Sequence, residues 1–582
     1  MTQDESPASA GRAAFKPGVL LAALLGAALV WISTPGGVGA SPDAWNYFAA
    51  ARNLLAGEGF TRYTGEPFVL WPPLFPTLIA ALLGLGDLAG QNLHLLDALR
   101  LVNMVTVAVA VVAANALLRR LLWSVWLAAL ATLAVALSYP LIYVAAFAWS
   151  EPLFILLCLG FLVTLDRARQ GFTARTTGMA AVLAALASLQ RYTGMVLIPL
   201  GGLWLLTAPA IPFWPRLRRA FSFAVAAALP LALWLAYNRA RAGTFTGERN
   251  PSAHPLHANL RAVYNLTLAW LTPESLIPDY RLAGLIVAGA LSGAALALIV
   301  RRRGETLAAL GTLRWLPLAL FGAFYAGFVV ISASRVQFDP IDERLLAPLY
   351  PAVIGLAFVA LDRALAWARA HTGGRAAFWL AGALATLWLL HPIGRLESNL
   401  STLQDISRAS QSTYEMWRRS DLMRTVRAHP PAGNVLTNAP LHLLVHTGVP
   451  VRAVPETLDG WEALVREAEG RPLTIVWFEP IARCDWGRRH CVSTDYTVEM
   501  LAAQFALTRV TVTYDGGVYS ISPAKARVGA PEHADAALIS ILPLGEAARG
   551  PYHRPPVNLC NCFATRCPPD PARGSVGSSA VS

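Results

Sequence analysis

The chain has 582 residues, of which 55% are hydrophobic and only 14% charged, with a formal net charge of +12. Soluble domains carry about 25% charged residues, so this composition excludes an ordinary soluble enzyme and points to a polytopic membrane protein. The positive balance does not mark a nucleic-acid binder: the basic residues are nearly all Arg and gather in short loops between apolar runs, the footprint of membrane topology.

The apolar runs are continuous rather than alternating, which excludes a barrel and leaves helices as the spanning elements. About eleven stretches have the length needed to cross a bilayer as helix: 18–34, 97–118, 121–138, 151–167, 176–190, 192–208, 220–238, 281–300, 314–332, 346–362 and 376–392. The first follows Arg12 and Lys16 and precedes small residues, so it also reads as a signal peptide; the many spans after it favour an uncleaved helix. With the N-terminus in the cytoplasm, the basic clusters Arg119-Arg120, Asp166 to Arg175, Arg216 to Arg219, Arg301 to Arg314 and Arg363 to Arg375 all fall inside. The segments 35–96, 239–280 and 333–345 then lie outside, as does everything after about 393.

Two apolar stretches fit poorly as spans. Residues 71–85 begin with prolines and read as an interfacial or re-entrant segment. Residues 138–150 read as a short surface helix, with Ser150 as the N-cap of the next helix and Pro152 in its first turn. Beyond residue 393 helical patterns at 414–428, 461–468 and 497–505 alternate with strand patterns at 434–438, 473–478, 509–514 and 518–522, predicting a small extracytoplasmic α/β domain over 393–523. Residues 524–582, rich in Pro, Ala, Gly and Ser, read as a disordered tail. Of the six cysteines, Cys158 is an apolar filler within a span. Cys484 and Cys491 bracket a polar loop where an oxidising compartment would allow pairing. Cys560, Cys562 and Cys567 lie in the tail without an obvious fourth metal ligand.

Charge at the outer membrane surface is scarce and therefore informative. Asp43 follows the first span by a few residues. It reads either as an acid at a helix N-terminus, favoured by the dipole, or as a general base; Tyr47 is one turn along on the same face. Glu151 adjoins an apolar core, where an acid is costly and marks a pathway, a partner or a site; its alternative is again a first-turn acid. Gln190 and Arg191 interrupt a long apolar stretch, and Arg191 either snorkels to headgroups or faces a cavity as an anion site. Arg249, Arg335 and Arg344 lie outside, against the charge bias. Phosphate suits their guanidinium forks, and pairing with Asp339, Asp342 and Glu343 is the compatible alternative. No phosphate-binding loop, dinucleotide fingerprint, zinc-protease motif or nucleophile elbow occurs in a supporting context. The chain therefore draws its energy from an activated substrate or a gradient.

Several segments, in order over residues 18–360, resemble the GT-C superfamily, in particular bacterial relatives of the protein mannosyltransferase and lipid A aminoarabinose transferase group (glycosyltransferase family 39-related). They are Asp43 with Tyr47 and Gly57-Glu-Gly59; Pro72-Pro73-Leu-Phe-Pro76; Ser150-Glu151-Pro152; Gln190-Arg191-Tyr192; Tyr237-Asn238 through Gly247; and Arg344 through Pro351. The resemblance implies a GT-C transmembrane catalytic domain over 1–392 in the cell membrane, with an extracytoplasmic active site. It implies a polyprenyl-phosphate sugar donor, a glycan, lipid or protein acceptor, and an inverting transfer. Asp43 and Glu151 would be catalytic, and Tyr47, Arg191, Tyr192, Arg249, Arg335 and Arg344 would bind substrate. Many relatives carry two adjacent acids in the first loop, whereas here Ala44 follows Asp43. A divalent metal on Asp43 and Glu151 is therefore left open. The alternative class is a lipid-linked sugar transporter or flippase, which would carry the same spans and charges without forming a glycosidic bond.

Overall fold

The structure, a computed structural model, describes residues 17–89, 94–171, 173–208, 211–273, 313–337, 339–372, 375–468, 473–479, 494 and 496–521. The expected span 281–300, the Cys484–Cys491 loop and the tail with Cys560, Cys562 and Cys567 lie outside these residues. The chain divides into two compact units, Met1–Arg62 with Glu66–Met416 and Tyr63–Gly65 with Trp417–Ser582. One helix, Leu390–Arg419, runs unbroken across the boundary expected at 392/393.

The first unit is helical. In chain order its elements are α1 (Pro17–Ser33), α2 (Pro42–Leu55), α3 (Leu74–Leu88), α4 (Leu95–Leu121), α5 (Val125–Ala136), α6 (Tyr139–Ala145), α7 (Glu151–Gly171), α8 (Ala174–Gln190), a 3₁₀ turn (Tyr192–Val196), α9 (Leu197–Leu206), α10 (Phe213–Ala242), α11 (Leu256–Ala269), α12 (Leu316–Arg335), α13 (Glu343–Leu346), α14 (Tyr350–Thr372), α15 (Arg375–Trp388) and α16 (Leu390–Arg419). A helix is found at each described position where a span was expected. Among the described residues four helical segments are long and apolar enough to cross a membrane: α4, α10, α12 and the stretch Glu343–Arg369. A fifth arises if α5 and α6, which meet at 41°, count as one bent span. The bend falls where Ser138 caps α6, its hydroxyl accepting from the Leu141 amide at 3.3 Å. The short helix expected after 138 is present, but it is packed inside the helical unit rather than exposed. Leu141, Ile142, Val144 and Ala145 are at most 2% exposed, because α6 packs against α1, α4, α7 and α13.

The second unit is built on a five-stranded sheet, with β1 (Val435–Thr437), β2 (Arg452–Ala453), β3 (Leu473–Phe478), β4 (Leu507–Thr513) and β5 (Gly516–Ile521) in the order β2-β1-β3-β5-β4. β2, β1 and β3 are parallel, while β5 and β4 run antiparallel to what precedes them. Alternation along β3 sorts its side chains to two faces. Leu473, Ile475 and Trp477 join a core with Trp461, Tyr496 and Leu501, whereas Val476 and Phe478 join Leu422, Met423, Val426 and Leu443. Helices α17 (Asp421–Ala428), α18 (Pro440–Thr447), α19 (Leu458–Glu467) and α20 (Val498–Gln504) supply those covers.

Candidate active site

Asp43 and Glu151 are brought together by main chain before any side chain is considered. The segment after α1 pairs with the segment before α7: the Gly39 amide donates to the Ala146 carbonyl at 2.7 Å and the Ala148 amide to the Gly39 carbonyl at 2.9 Å. Gly39 is required there, since a Cβ would lie 2.9 Å from the Phe147 ring. Ser407 and Ser410 of α16 fix the other edge, accepting from the Gly36 and Ala40 amides at 2.9 and 3.0 Å. Ser41 then caps α2 and accepts the Trp149 indole N–H at 2.7 Å. Pro42 occupies the first turn, so Asp43 stands at a helix start beside the start of α7.

Four charged side chains meet at this junction. Glu151 is wholly buried, and its Oε1 accepts from Arg191 Nη1 and Arg344 Nε, each at 2.6 Å. Arg344 Nη2 reaches on to Asp43 Oδ2 at 2.7 Å. Arg191 Nη1 also donates to Ser150 Oγ at 3.0 Å, while Gln190 Nε2 donates to the Ser150 carbonyl at 2.9 Å. Two guanidiniums therefore balance two carboxylates. Burying any one of them alone would cost several kcal/mol. The environment of the four is unequal: the Asp43 side chain is 28% exposed, against 13% for Arg344 and 0% for Glu151. The Arg344 guanidinium also lies 4.1 Å above the Trp149 ring, which itself stacks on Phe147. A cation over indole gains further attraction.

The Arg344 side chain is aimed by its neighbour. Glu343 points the other way, accepting from Arg395 Nη2 at 2.6 Å and from the Trp270 indole at 2.8 Å. Arg395 donates in addition to the Ala269 carbonyl at 2.8 Å. Asp342 caps α13 through the Leu345 amide at 3.0 Å. The pairing of Arg344 with nearby Asp339, Asp342 or Glu343, open from sequence, is thus replaced by pairing with acids far away in the chain. Arg395, Trp149 and Ser41 had no role in the sequence reading, and Ser150 only that of a helix cap and a member of the Ser150-Glu151-Pro152 segment. Arg395 carries no local signal, since its partner lies 52 residues away.

The remaining candidates fall into three groups. Tyr47 is buried against Phe68, Trp71 and Phe75, edge to face. Burial, reinforced by Asp43 and Glu151, pushes its phenol well above the ordinary value. Tyr192 and Arg249 secure the 67–71 segment: Tyr192 OH donates to the Val69 carbonyl at 2.9 Å and Arg249 Nη2 to the Leu70 carbonyl at 3.1 Å. Tyr192 in turn accepts from Trp234 and Asn238 at 3.0 and 3.1 Å. Gly247 (φ +81°) permits the close approach, as a Cβ would meet Leu70 at 2.5 Å. Burial lowers the Arg249 pKa, with Tyr192 and Asp43 acting in opposition. Arg335 ends α12 in an exposed position. Its backbone carbonyl accepts from Ser252 at 3.3 Å, and the structure does not bring it to the acids.

The fit of a divalent metal can be tested on this geometry. Metal binding needs carboxylate oxygens converging on one centre, but the Arg344 guanidinium stands between Asp43 and Glu151 and bonds to both. Coulomb repulsion between a divalent ion and a guanidinium ~4 Å away is about 4 kcal/mol per unit of ion charge at an effective dielectric near 20. Among the described residues no group of three or more His, Cys, Asp or Glu converges, and Ala44 beside Asp43 is fully buried. The residues present do not fit a metal.

Neither a protein-family model nor a curated protein sequence matches the chain. Solved structures match it in fold. The crystal structure of ArnT from Cupriavidus metallidurans bound to undecaprenyl phosphate is similar with a TM-score of 0.52 and 16% sequence identity, over 89% of this chain and 100% of that one. The same protein in the apo state gives 0.51 and 16% over 87% and 98%. A cryo-EM structure of the arabinofuranosyltransferase AftD from Mycobacteria gives 0.50 and 16%, over 88% of this chain and 42% of that longer chain. The chain thus has a mostly helical fold similar to those of ArnT and AftD, with four helical segments long and apolar enough to cross a membrane among the described residues.

Proposed function

We propose that the protein transfers a sugar from a polyprenyl-phosphate-linked donor to an acceptor hydroxyl at the extracytoplasmic membrane face, with inversion and with Asp43 as general base. One observation carries the reading: in a GT-C fold, the partly exposed carboxylate of Asp43 stands at the mouth of a buried acid–guanidinium cluster. Among the described residues only its Oδ2 is engaged, by Arg344. The other oxygen is left to take the proton of the acceptor hydroxyl as that oxygen attacks the anomeric carbon. The bond between that carbon and the donor phosphate breaks on the opposite side, and polyprenyl phosphate leaves with the electron pair.

The leaving phosphate is stabilised by guanidinium. Arg344 borders Asp43 directly, and Arg191 holds a buried Nε without an acceptor among the described residues. Such a group costs roughly 1–3 kcal/mol while unpaired, so a phosphate oxygen that reached it would bind tightly. Glu151, wholly buried and shared by both guanidiniums, is a positioning residue in this reading. Eleven crossings, a cytoplasmic N-terminus and an acceptor-recognising outer domain beyond residue 393 complete the proposal. The ArnT complex with undecaprenyl phosphate supports a lipid-phosphate donor for this fold.

The test is reconstitution of purified protein into vesicles containing a polyprenyl-phosphate donor with radiolabelled sugar, together with lipid, glycan and peptide acceptors. Label in a new glycoconjugate, with release of polyprenyl phosphate, is expected. Movement of intact donor between leaflets with no new bond would instead identify a flippase.

A further inference from the structure

We infer that Arg344 is the built-in cation of the Asp43–Glu151 pair, standing where two acids at a transferase site would otherwise share a divalent metal ion, so that this chain works without one. The inference rests on the proposed transferase reading for its turnover arm and on geometry alone for its binding arm. Four features of the site support it.

The guanidinium spans the pair with different atoms, Nε to Glu151 at 2.6 Å and Nη2 to Asp43 at 2.7 Å. The fork uses its planar geometry to satisfy two carboxylates at once, which a Lys ammonium cannot reproduce. Charge is already balanced, because Arg191 supplies the second positive charge against Glu151. A divalent ion would find no converging group of three or more His, Cys, Asp or Glu among the described residues.

The floor of the site is an indole face. Trp149 lies 4.1 Å beneath the guanidinium and is held by its N–H on Ser41 and by the stacked Phe147 ring. A weakly hydrated planar cation suits such a floor. A hard ion that dehydrates reluctantly and demands oxygen ligands does not. The arrangement is also locked from behind: Glu343, adjacent in the chain, is bonded to Arg395 and Trp270, so the turn that carries Arg344 cannot swing away without breaking a second, partly buried pair.

The experiment titrates Mn²⁺ into full-length protein in detergent and reads free Mn²⁺ by electron paramagnetic resonance. Transfer is measured in parallel with and without EDTA. Wild type is expected to leave the free-Mn²⁺ signal unchanged and to lose no transfer on chelation. Arg344→Gln, checked for monodisperse elution, is expected to gain one saturable Mn²⁺ site. That site should vanish again when Asp43→Asn is added. Saturable Mn²⁺ binding by wild type that Asp43→Asn abolishes would overturn the inference. So would loss of transfer in EDTA restored by Mn²⁺ or Mg²⁺, or a folded Arg344→Gln that gains no site. If Arg344→Gln does not fold, the two wild-type arms still decide. If no donor is turned over at all, the Mn²⁺ arm stands by itself, separating failure of this inference from failure of the transferase reading.

Discussion

Glu343 and Arg344 are neighbours that face opposite ways, and the two clusters they enter have the same chemistry and different consequences. Glu343 enters a closed pair: one guanidinium and one indole N–H meet its carboxylate, and the main-chain carbonyl of Ala269 takes the rest of Arg395. Arg344 enters a four-membered cluster whose last member, Asp43, is 28% exposed and has one oxygen unengaged among the described residues. The first arrangement can only hold elements together. The second holds them equally well and also presents a carboxylate to whatever lies outside. Burial of an ion pair is therefore weak evidence of function by itself; the informative feature is the one partner left accessible.

The largest expected effect tests whether the buried half of the cluster is structural. Glu151→Gln leaves two guanidiniums without their shared acid and should destabilise by about 3–5 kcal/mol, read as a drop in detergent melting temperature. Asp43→Asn should separate the two roles. Transfer should fall by about 10²–10⁴-fold, the usual contribution of a general base, while stability changes by less than about 1 kcal/mol for a partly exposed pair. Equal losses of stability in these two variants would erase the distinction between buried anchor and accessible base.

The closed pair gives the reverse pattern. Arg395→Met should destabilise by roughly 1.5–3 kcal/mol, the range for a hydrogen bond to a charged group. The double variant with Glu343→Gln should recover part of that loss and leave the substrate KM largely unmoved. Trp149→Phe removes the indole bond to Ser41 and weakens the cation contact, for about 1 kcal/mol in total. The smallest effect concerns Asp342. Burial holds its carboxyl above the ordinary value, so the stability it contributes is fully present below the ordinary carboxylate pKa and is lost as pH rises through the raised one. Asp342→Asn retains the cap and should flatten that dependence, checked by melting temperature against pH.

The sequence made helices legible wherever apolar length was continuous, and strands β1, β3, β4 and β5 wherever apolar residues clustered. The two-residue β2 offered too little pattern, and the order of the sheet depends on pairings no local signal encodes. At the site, Asp43 and Glu151 stood out because charge is rare beside apolar runs, and Arg344 because it opposed the charge bias. Their mutual contact was not legible: Arg344 meets Glu151 across 193 residues and Asp43 across 301. For the same reason the sequence left Arg191 between a headgroup and an anion site, and Arg344 between phosphate and nearby acids, while the fold pairs each with a distant carboxylate. Tyr192 and Arg249 were noticed as site residues, yet both bond to the main chain of the 67–71 segment, a partner that has no side-chain signature.

The most direct test of the account compares wild type with Asp43→Asn in the labelled-donor assay, each shown to be folded by its melting temperature. The account predicts labelled glycoconjugate from wild type and a loss of several orders of magnitude in the variant at unchanged stability. Equal transfer by both proteins would contradict it and remove Asp43 as the base.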